Sequence, residues 1–208
     1  MKIGNPKQNC LCNHIRKCIM YGIINQALKL HICEKYGAAS WKKIQEQSGI
    51  DLSNFTSMQR YPDSMTYQLI QTGVEVLNIT AEQLIEEIGY FWVFYMGTGG
   101  YKEIFTESGD DFLSFLQNLN YLHGRVKSIL PALQPPKFEC TDISATQLRL
   151  HYYSCRDGFS PMVLGLVKGL ADWFKEPVRI KHILLKERGD DHDVFEIKFI
   201  NVESNRET

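Results

Sequence analysis

Long apolar runs are missing from this chain of 208 residues. No stretch approaches the roughly 20 residues that a membrane helix needs. A basic excess is missing as well: 23 Lys and Arg stand against 24 Asp and Glu, for a net charge of −1, which speaks against nucleic acid as a partner. The first twenty residues, MKIGNPKQNCLCNHIRKCIM, carry positive charge but lack the apolar core of a signal peptide. Internal repeats and low-complexity tracts are absent. These absences point to a cytoplasmic protein, with neither membrane nor nucleic acid among its partners.

Cysteine is scarce, at positions 10, 12, 18, 33, 140 and 155. In a reducing compartment a chain of this size does not rest on a disulfide framework. Cys10, Cys12, His14 and Cys18 crowd together, and thiolates with imidazole suit zinc. Structural zinc sites pair two short-spaced ligand couples, however, and only one couple is visible. What the chain does have is apolar content: 44% of residues are hydrophobic and 12% aromatic, enough for a core in a single globular domain.

Helical periodicity begins near Met20. MYGIINQALKLHICEKYG predicts a helix stopped at Gly37. Shorter helices follow in SWKKIQEQSG and SMTYQLIQTGVEVL. TAEQLIEEIGYFWVFYMG opens with Thr80 and Gln83 in a capping-box arrangement, and its second half, Tyr90 to Met96, is apolar all round and expected to be buried. The strongest pattern, from Asp110 to Leu130, predicts one continuous helix ended by Pro131, Pro135 and Pro136. Beyond it the period changes from helical to alternating. FECTDI and QLRLHYYS predict strands, SPMVLGLVKGLADWFK a helix, and VRIKHILLKE with DVFEIKFI a closing hairpin. The expected architecture is α+β: an N-terminal helical part, then a mostly antiparallel sheet packed with helices. The domain is expected over residues 20–200, with 1–19 an extension outside the fold and 201–208 a tail.

Two features carry chemistry. On the helix expected from Asp110 to Leu130, Phe112, Phe115, Leu116, Leu119 and Val126 share a face, and His123 falls on the same stripe. A histidine there is either a core residue bonded to a nearby carbonyl or a metal or haem ligand. The second feature is LRLHYYSCRDGF, residues 148–159, in which Leu148, Leu150, Tyr152, Ser154 and Arg156 occupy alternate positions. In a strand they share one face, with the last three donors spaced about 7 Å apart. A phenol, a hydroxyl and a guanidinium in a row are suited to carboxylates. Haem brings both needs together: an iron that takes an imidazole and two propionates that take donors.

At these residues the chain resembles the haem-nitric-oxide/oxygen-binding (H-NOX) domain, which is also the sensory domain of soluble guanylate cyclase. The Y-x-S-x-R motif is Tyr152, Ser154 and Arg156, and the histidine segment is FLQNLNYLHGRV. MYGIIN, LQPPKFEC and PMVLGL match too. The resemblance covers about residues 20–200. It implies haem b on His123, propionates held by Tyr152, Ser154 and Arg156, Leu119 and Leu122 beside the haem, and Pro136 pressing on the porphyrin. It also implies a bacterial member of the stand-alone type. Such a member is no enzyme itself and acts on a separate partner, commonly a histidine kinase or a cyclic-di-nucleotide enzyme.

The distal side decides the gas. Bound oxygen carries partial negative charge that a donor stabilises, and oxygen-holding members of the family place a tyrosine where this chain has Met162. Trp92 matches a position where an indole occurs in some members, either as a donor or as packing. Ile24, Leu28, Met96 and Leu166 would complete an apolar wall. The expectation is a sensor of nitric oxide, also binding carbon monoxide, that excludes oxygen. It would signal by weakening or breaking the iron–His123 bond, with relaxation of the haem against Pro136. Three rivals stand beside it: an oxygen-binding haem protein, a haem enzyme such as a peroxidase, and a thiol sensor using Cys140 and Cys155.

Overall fold

The computed structural model describes residues 19–50 and 56–200. The Cys10, Cys12, His14 and Cys18 group lies outside the described residues. Strand β1 (Ile19–Tyr21) leads directly into helix α1 (Gly22–Tyr36), and α2 (Ala38–Ser48) comes after a sharp turn at Gly37. Gly37 sits at φ 87°, a conformation that favours glycine. Strand β2 (Arg60–Pro62) pairs antiparallel with β1, with Tyr21 opposite Arg60. Neither strand is visible in the helical periodicity, since the pair is made between segments some forty residues apart. β1 takes in Ile19, one residue before the expected start of the domain.

Helix α3 (Asp63–Leu77) and helix α4 (Ala81–Thr98) complete the helical part. Thr80 and Gln83 form the expected reciprocal cap at the start of α4. Glu87 of α4 ties α1 to it: its carboxylate accepts from the Tyr36 hydroxyl at 2.7 Å and pairs with Lys35 at 2.7 Å and His31 at 3.0 Å. The second half of α4 is not buried all round. Val93 and Met96 are in the core, whereas Tyr90 is 39% exposed and donates its hydroxyl to Asp172 at 2.7 Å. A phenol can cover apolar surface and still satisfy its polar tip.

After the short α5 (Lys102–Thr106), the continuous helix expected from Asp110 to Leu130 is two helices: α6 (Phe112–Gln117) and α7 (Leu119–Ile129). The break falls at Asn118, whose backbone leaves helical geometry at ψ 4°. Asp111 caps α6 through a reciprocal bond with Ser114. The two halves pack differently. Phe112, Phe115 and Leu116 of α6 are buried in the core, but no residue of α7 is fully buried.

The sheet has four strands: β3 (Lys137–Thr141), β4 (Gln147–Tyr153), β5 (Val178–Leu184) and β6 (Asp193–Phe199), in the order β3-β4-β6-β5 and antiparallel throughout. Helix α8 (Ser160–Phe174) joins β4 to β5 and lies along α4. The fold is therefore α+β, helices first and an antiparallel sheet after them, as the change of period predicts. Two apolar clusters form the core. One gathers α1, α2, α3 and the start of α4 around Ile32, Ile44 and Leu69; the other joins the sheet to α6, α8 and the rest of α4.

Candidate functional site

A cavity of about 240 Å³ opens within the second cluster. Its walls come from α1, α4 and α8 together with α6, α7, β3 and β4. Of the residues expected at the site, His123, Leu119, Leu122, Pro136, Tyr152, Ser154, Arg156, Trp92, Met96, Met162, Ile24 and Leu166 all line it. Leu28 does not. It is buried in the other cluster with Ile32, Trp41 and Ile44: it shares a face with Ile24 but lies one turn further along α1, where that face packs against α2 and not the cavity.

His123 is carried by α7. Asn120, one turn earlier on that helix, fixes α7 to the sheet. Its side-chain amide donates to the Phe138 carbonyl at 2.5 Å and its carbonyl accepts from the Phe138 N–H at 2.9 Å. The Phe138 ring lies 5.8 Å from the His123 ring and 5.3 Å from Tyr152. Burial pushes the pKa of His123 down to about 4, against a smaller upward pull from the Pro136 backbone. The imidazole is thus neutral at physiological pH, the form that ligates metal. Its Nδ1 is buried without a hydrogen-bond partner.

Tyr152 ends the buried face of β4, two residues after Leu150. Burial pushes its phenol up to about 12, moderated by Ser154 and Arg156. It is a donor at every pH of interest. Ser154 and Arg156 are not on the strand. β4 stops at Tyr153, and a turn returns both to the cavity, with the Arg156 N–H donating to Ser154 Oγ at 3.0 Å. The alternation that suggested one continuous strand face is therefore a coincidence of spacing. Sequence reasoning missed what holds the turn. Arg156 Nε donates to Asp63 at 2.8 Å, and one of its terminal nitrogens donates to the Gln134 carbonyl at 3.0 Å. Lys186 Nζ donates to the Ser154 carbonyl at 3.0 Å. Asp63, at the start of α3, and Lys186, after β5, are remote in the chain, and no local pattern marks either.

On the thiols, Cys140 is partly buried and its pKa is pushed up to about 11 by that burial, which keeps it a thiol at neutral pH. Cys155 is exposed in the turn. Among the described residues no group of three His, Cys, Asp or Glu is placed to hold a metal ion by itself. A single imidazole in a largely apolar cavity, with a phenol, a hydroxyl and a guanidinium at one edge, fits a flat apolar macrocycle that brings its own iron and acid groups. The orphaned Nδ1 of His123 is the observation that favours this fit over a satisfied core histidine.

Comparison with known proteins defines the class. The haem-NO-binding family model matches residues 21–182, and the chain belongs to this family. It is a haem-binding gas-sensor domain of the soluble guanylate cyclase type. Among similar proteins, the soluble guanylate cyclases gcy-31 and gcy-34 of Caenorhabditis elegans are 27% identical over 190 residues and 30% identical over 200 residues. Each alignment takes in 90% of this chain but only 27% and 29% of the respective cyclase, so the chain spans under a third of their length. An H-NOX protein from S. oneidensis, solved in its Fe(II)NO state, superposes with a TM-score of 0.79 at 22% identity, covering 88% of this chain and 100% of that one. The unliganded Fe(II) H-NOX protein of K. algicida is likewise similar in fold, with a TM-score of 0.77 at 23% identity over 88% of this chain and 97% of that one.

Proposed function

We propose that residues 20–200 form one sensor domain that holds haem b through His123, binds nitric oxide and carbon monoxide, and excludes oxygen. The observation that carries the reading is the cavity itself. It pairs a neutral, buried imidazole, one of whose ring nitrogens lacks a hydrogen bond, with the Tyr152, Ser154 and Arg156 donors, and it has Met162, which offers no hydrogen, in its wall. Bound there, haem supplies a ferrous iron that takes diatomic gases. The chain's own residues do the rest. Tyr152, Ser154 and Arg156 anchor the propionates, and Arg156 transmits their position to α3 through Asp63. Pro136 and Leu119 shape the face on which His123 stands. With haem bound, nitric oxide would weaken the hold of His123, and α7 is the helix that would respond: none of its residues is fully buried, and Asn120 ties it to β3. The output goes to a separate cytoplasmic enzyme, a histidine kinase or a cyclic-di-nucleotide enzyme, and the domain itself turns over no substrate. Peroxide chemistry wants an acid–base group that moves protons opposite the iron, and the apolar wall of Ile24, Met96, Met162 and Leu166 provides none.

One observation favours an oxygen-binding reading instead. Besides Trp92, two phenols that no sequence pattern marks, Tyr21 and Tyr101, line the same cavity. Absorption spectra of the reduced protein, alone, in air and with nitric oxide, separate the two. Nitric oxide should shift the spectrum while air leaves it unliganded; a stable oxygenated spectrum overturns the selectivity. His123→Gly should lose the pigment or its response, and added imidazole should restore it. A variant that keeps both without imidazole overturns the ligand assignment.

A further inference from the structure

The outer face of the sheet carries a row of hydrogen bonds that gas sensing leaves unused. Thr141 Oγ1 lies 2.8 Å from His151 Nε2, His151 Nδ1 lies 2.8 Å from His192 Nε2, and His192 Nδ1 lies 2.6 Å from Asp191. The His151 and His192 rings stack at 5.1 Å, and Tyr153 covers His192 at 4.2 Å. His151 and Tyr153 point away from the core, alternating with buried Leu150 and Tyr152.

The ends fix the direction of the row. A carboxylate only accepts, so His192 donates from Nδ1 and accepts at Nε2. His151 therefore donates from Nδ1 and accepts the Thr141 hydroxyl at Nε2. A first added proton is shared by the pair: on His151, or on His192 after transfer across the ring–ring bond, it leaves His151 Nε2 as an N–H that the Thr141 hydroxyl rotates to accept. Every bond survives. A second proton leaves both rings fully protonated, so that two N–H groups confront each other across the ring–ring contact. The bond between the rings breaks.

That break reaches the inner face through one residue. Asp193 comes directly after His192, stands opposite Tyr152 in the β4–β6 register, and accepts from His182 Nε2 at 2.9 Å and from the Lys186 N–H at 3.2 Å. Lys186 in turn holds the Ser154 carbonyl at 3.0 Å and Asp157 at 2.8 Å. The charged groups facing the row come from every neighbouring segment. Glu139 lies opposite His151 on β3; Asp142 and Arg149 pair at 2.8 Å beside it; Glu196 lies opposite Arg149 on β6; and Lys137 sits over the Tyr153 ring. Burial first, and the neighbouring His192 second, hold His151 below its ordinary value.

We propose that Thr141, His151, His192 and Asp191 form a proton-operated latch on the head of β6: it keeps its geometry through one protonation and opens on the second, loosening the Ser154–Arg156 turn through Lys186. The latch goes beyond gas sensing and does not depend on haem. Ring-nitrogen NMR of the full chain, recorded from pH 8 to about 4.5 across the range where histidines titrate, tests it. The two rings should protonate in sequence, and the backbone amides of Asp193, Lys186 and Ser154 should shift with the second step alone. In His151→Gln, His192 should titrate in a single step, and those amides should lose their second-step shift. Asp191→Ala, at an exposed position, should free the His192 ring and merge the steps into independent titrations. Independent titration of both rings in the unaltered chain, flat amides through the second step, or an unchanged two-step profile in Asp191→Ala each overturns the proposal.

Discussion

An imidazole at the edge of an oily cavity titrates far below one in water, and for His123 this has a cost in acid. Its pKa near 4 means that the folded protein resists protonation at a site where the unfolded chain accepts a proton near 6.5. The folded pKa is depressed, so the associated stability is fully present above about pH 6.5 and is lost as pH falls through 6.5 toward 4. A shift of that size corresponds to roughly 3 kcal/mol over the interval. Denaturant midpoints of the haem-free protein should fall between pH 7.5 and pH 4.5, and His123→Leu should flatten that slope. An equal slope in the variant would place the acid sensitivity elsewhere. His123 and Tyr152 were legible in the sequence because each sits on an apolar stripe where a polar group must have a reason. Asp63 was not, because an aspartate at a helix start has an ordinary local explanation and its ion pair with Arg156 spans 93 positions.

Elements divide in the same way. The caps of α4 and α6 rest on residues three apart, Thr80 with Gln83 and Asp111 with Ser114, and such short-range pairs are written in the sequence. The break between α6 and α7 is not. The spacings of three and four run on through Leu116, Leu119 and His123, so periodicity sees one helix. What turns α7 is Asn120 bonding both backbone groups of Phe138 on β3, a contact across 18 positions. The α4–α8 pair adds a steric rule of its own. Gly89 faces the Met162 carbonyl, Gly165 the Glu86 carbonyl, and Gly169 the Tyr90 carbonyl, so the two backbones approach without side chains between them. A methyl group on Gly165 would overlap the Glu86 carbonyl, and a backbone cannot swing aside as a side chain can. Gly165→Ala should destabilise the protein by about 1–3 kcal/mol, the usual range for an overpacked core. Because Met162 and Leu166 flank that contact and line the cavity, gas-binding rates should change as well. Thermal melts and ligand on-rates check both; a neutral substitution would mean that the helices separate freely.

At the scale of the molecule, the cavity joins the helical part to the sheet, and whatever fills it braces both. A ligand that binds only the folded state stabilises it by mass action, by about 4 kcal/mol at a thousandfold excess over its Kd. Haem loading should therefore raise the midpoint of thermal unfolding. The gain should shrink in Arg156→Ala, which removes both the proposed propionate donor and the tie to Asp63; an equal gain in that variant would place the anchor elsewhere. By itself the sequence determined the α+β order and singled out an imidazole, three donors and most of the apolar residues that line the cavity, because periodicity and motif spacing act over a few residues. Tertiary structure alone decided that Leu28 faces the other core, that Ser154 and Arg156 reach the cavity by a turn, that Tyr21 and Tyr101 join its lining, and that β1 pairs with β2. Each of these depends on segments far apart in the chain being brought together, and burial, the force that does so, is non-directional and leaves no local mark of which partner it will choose.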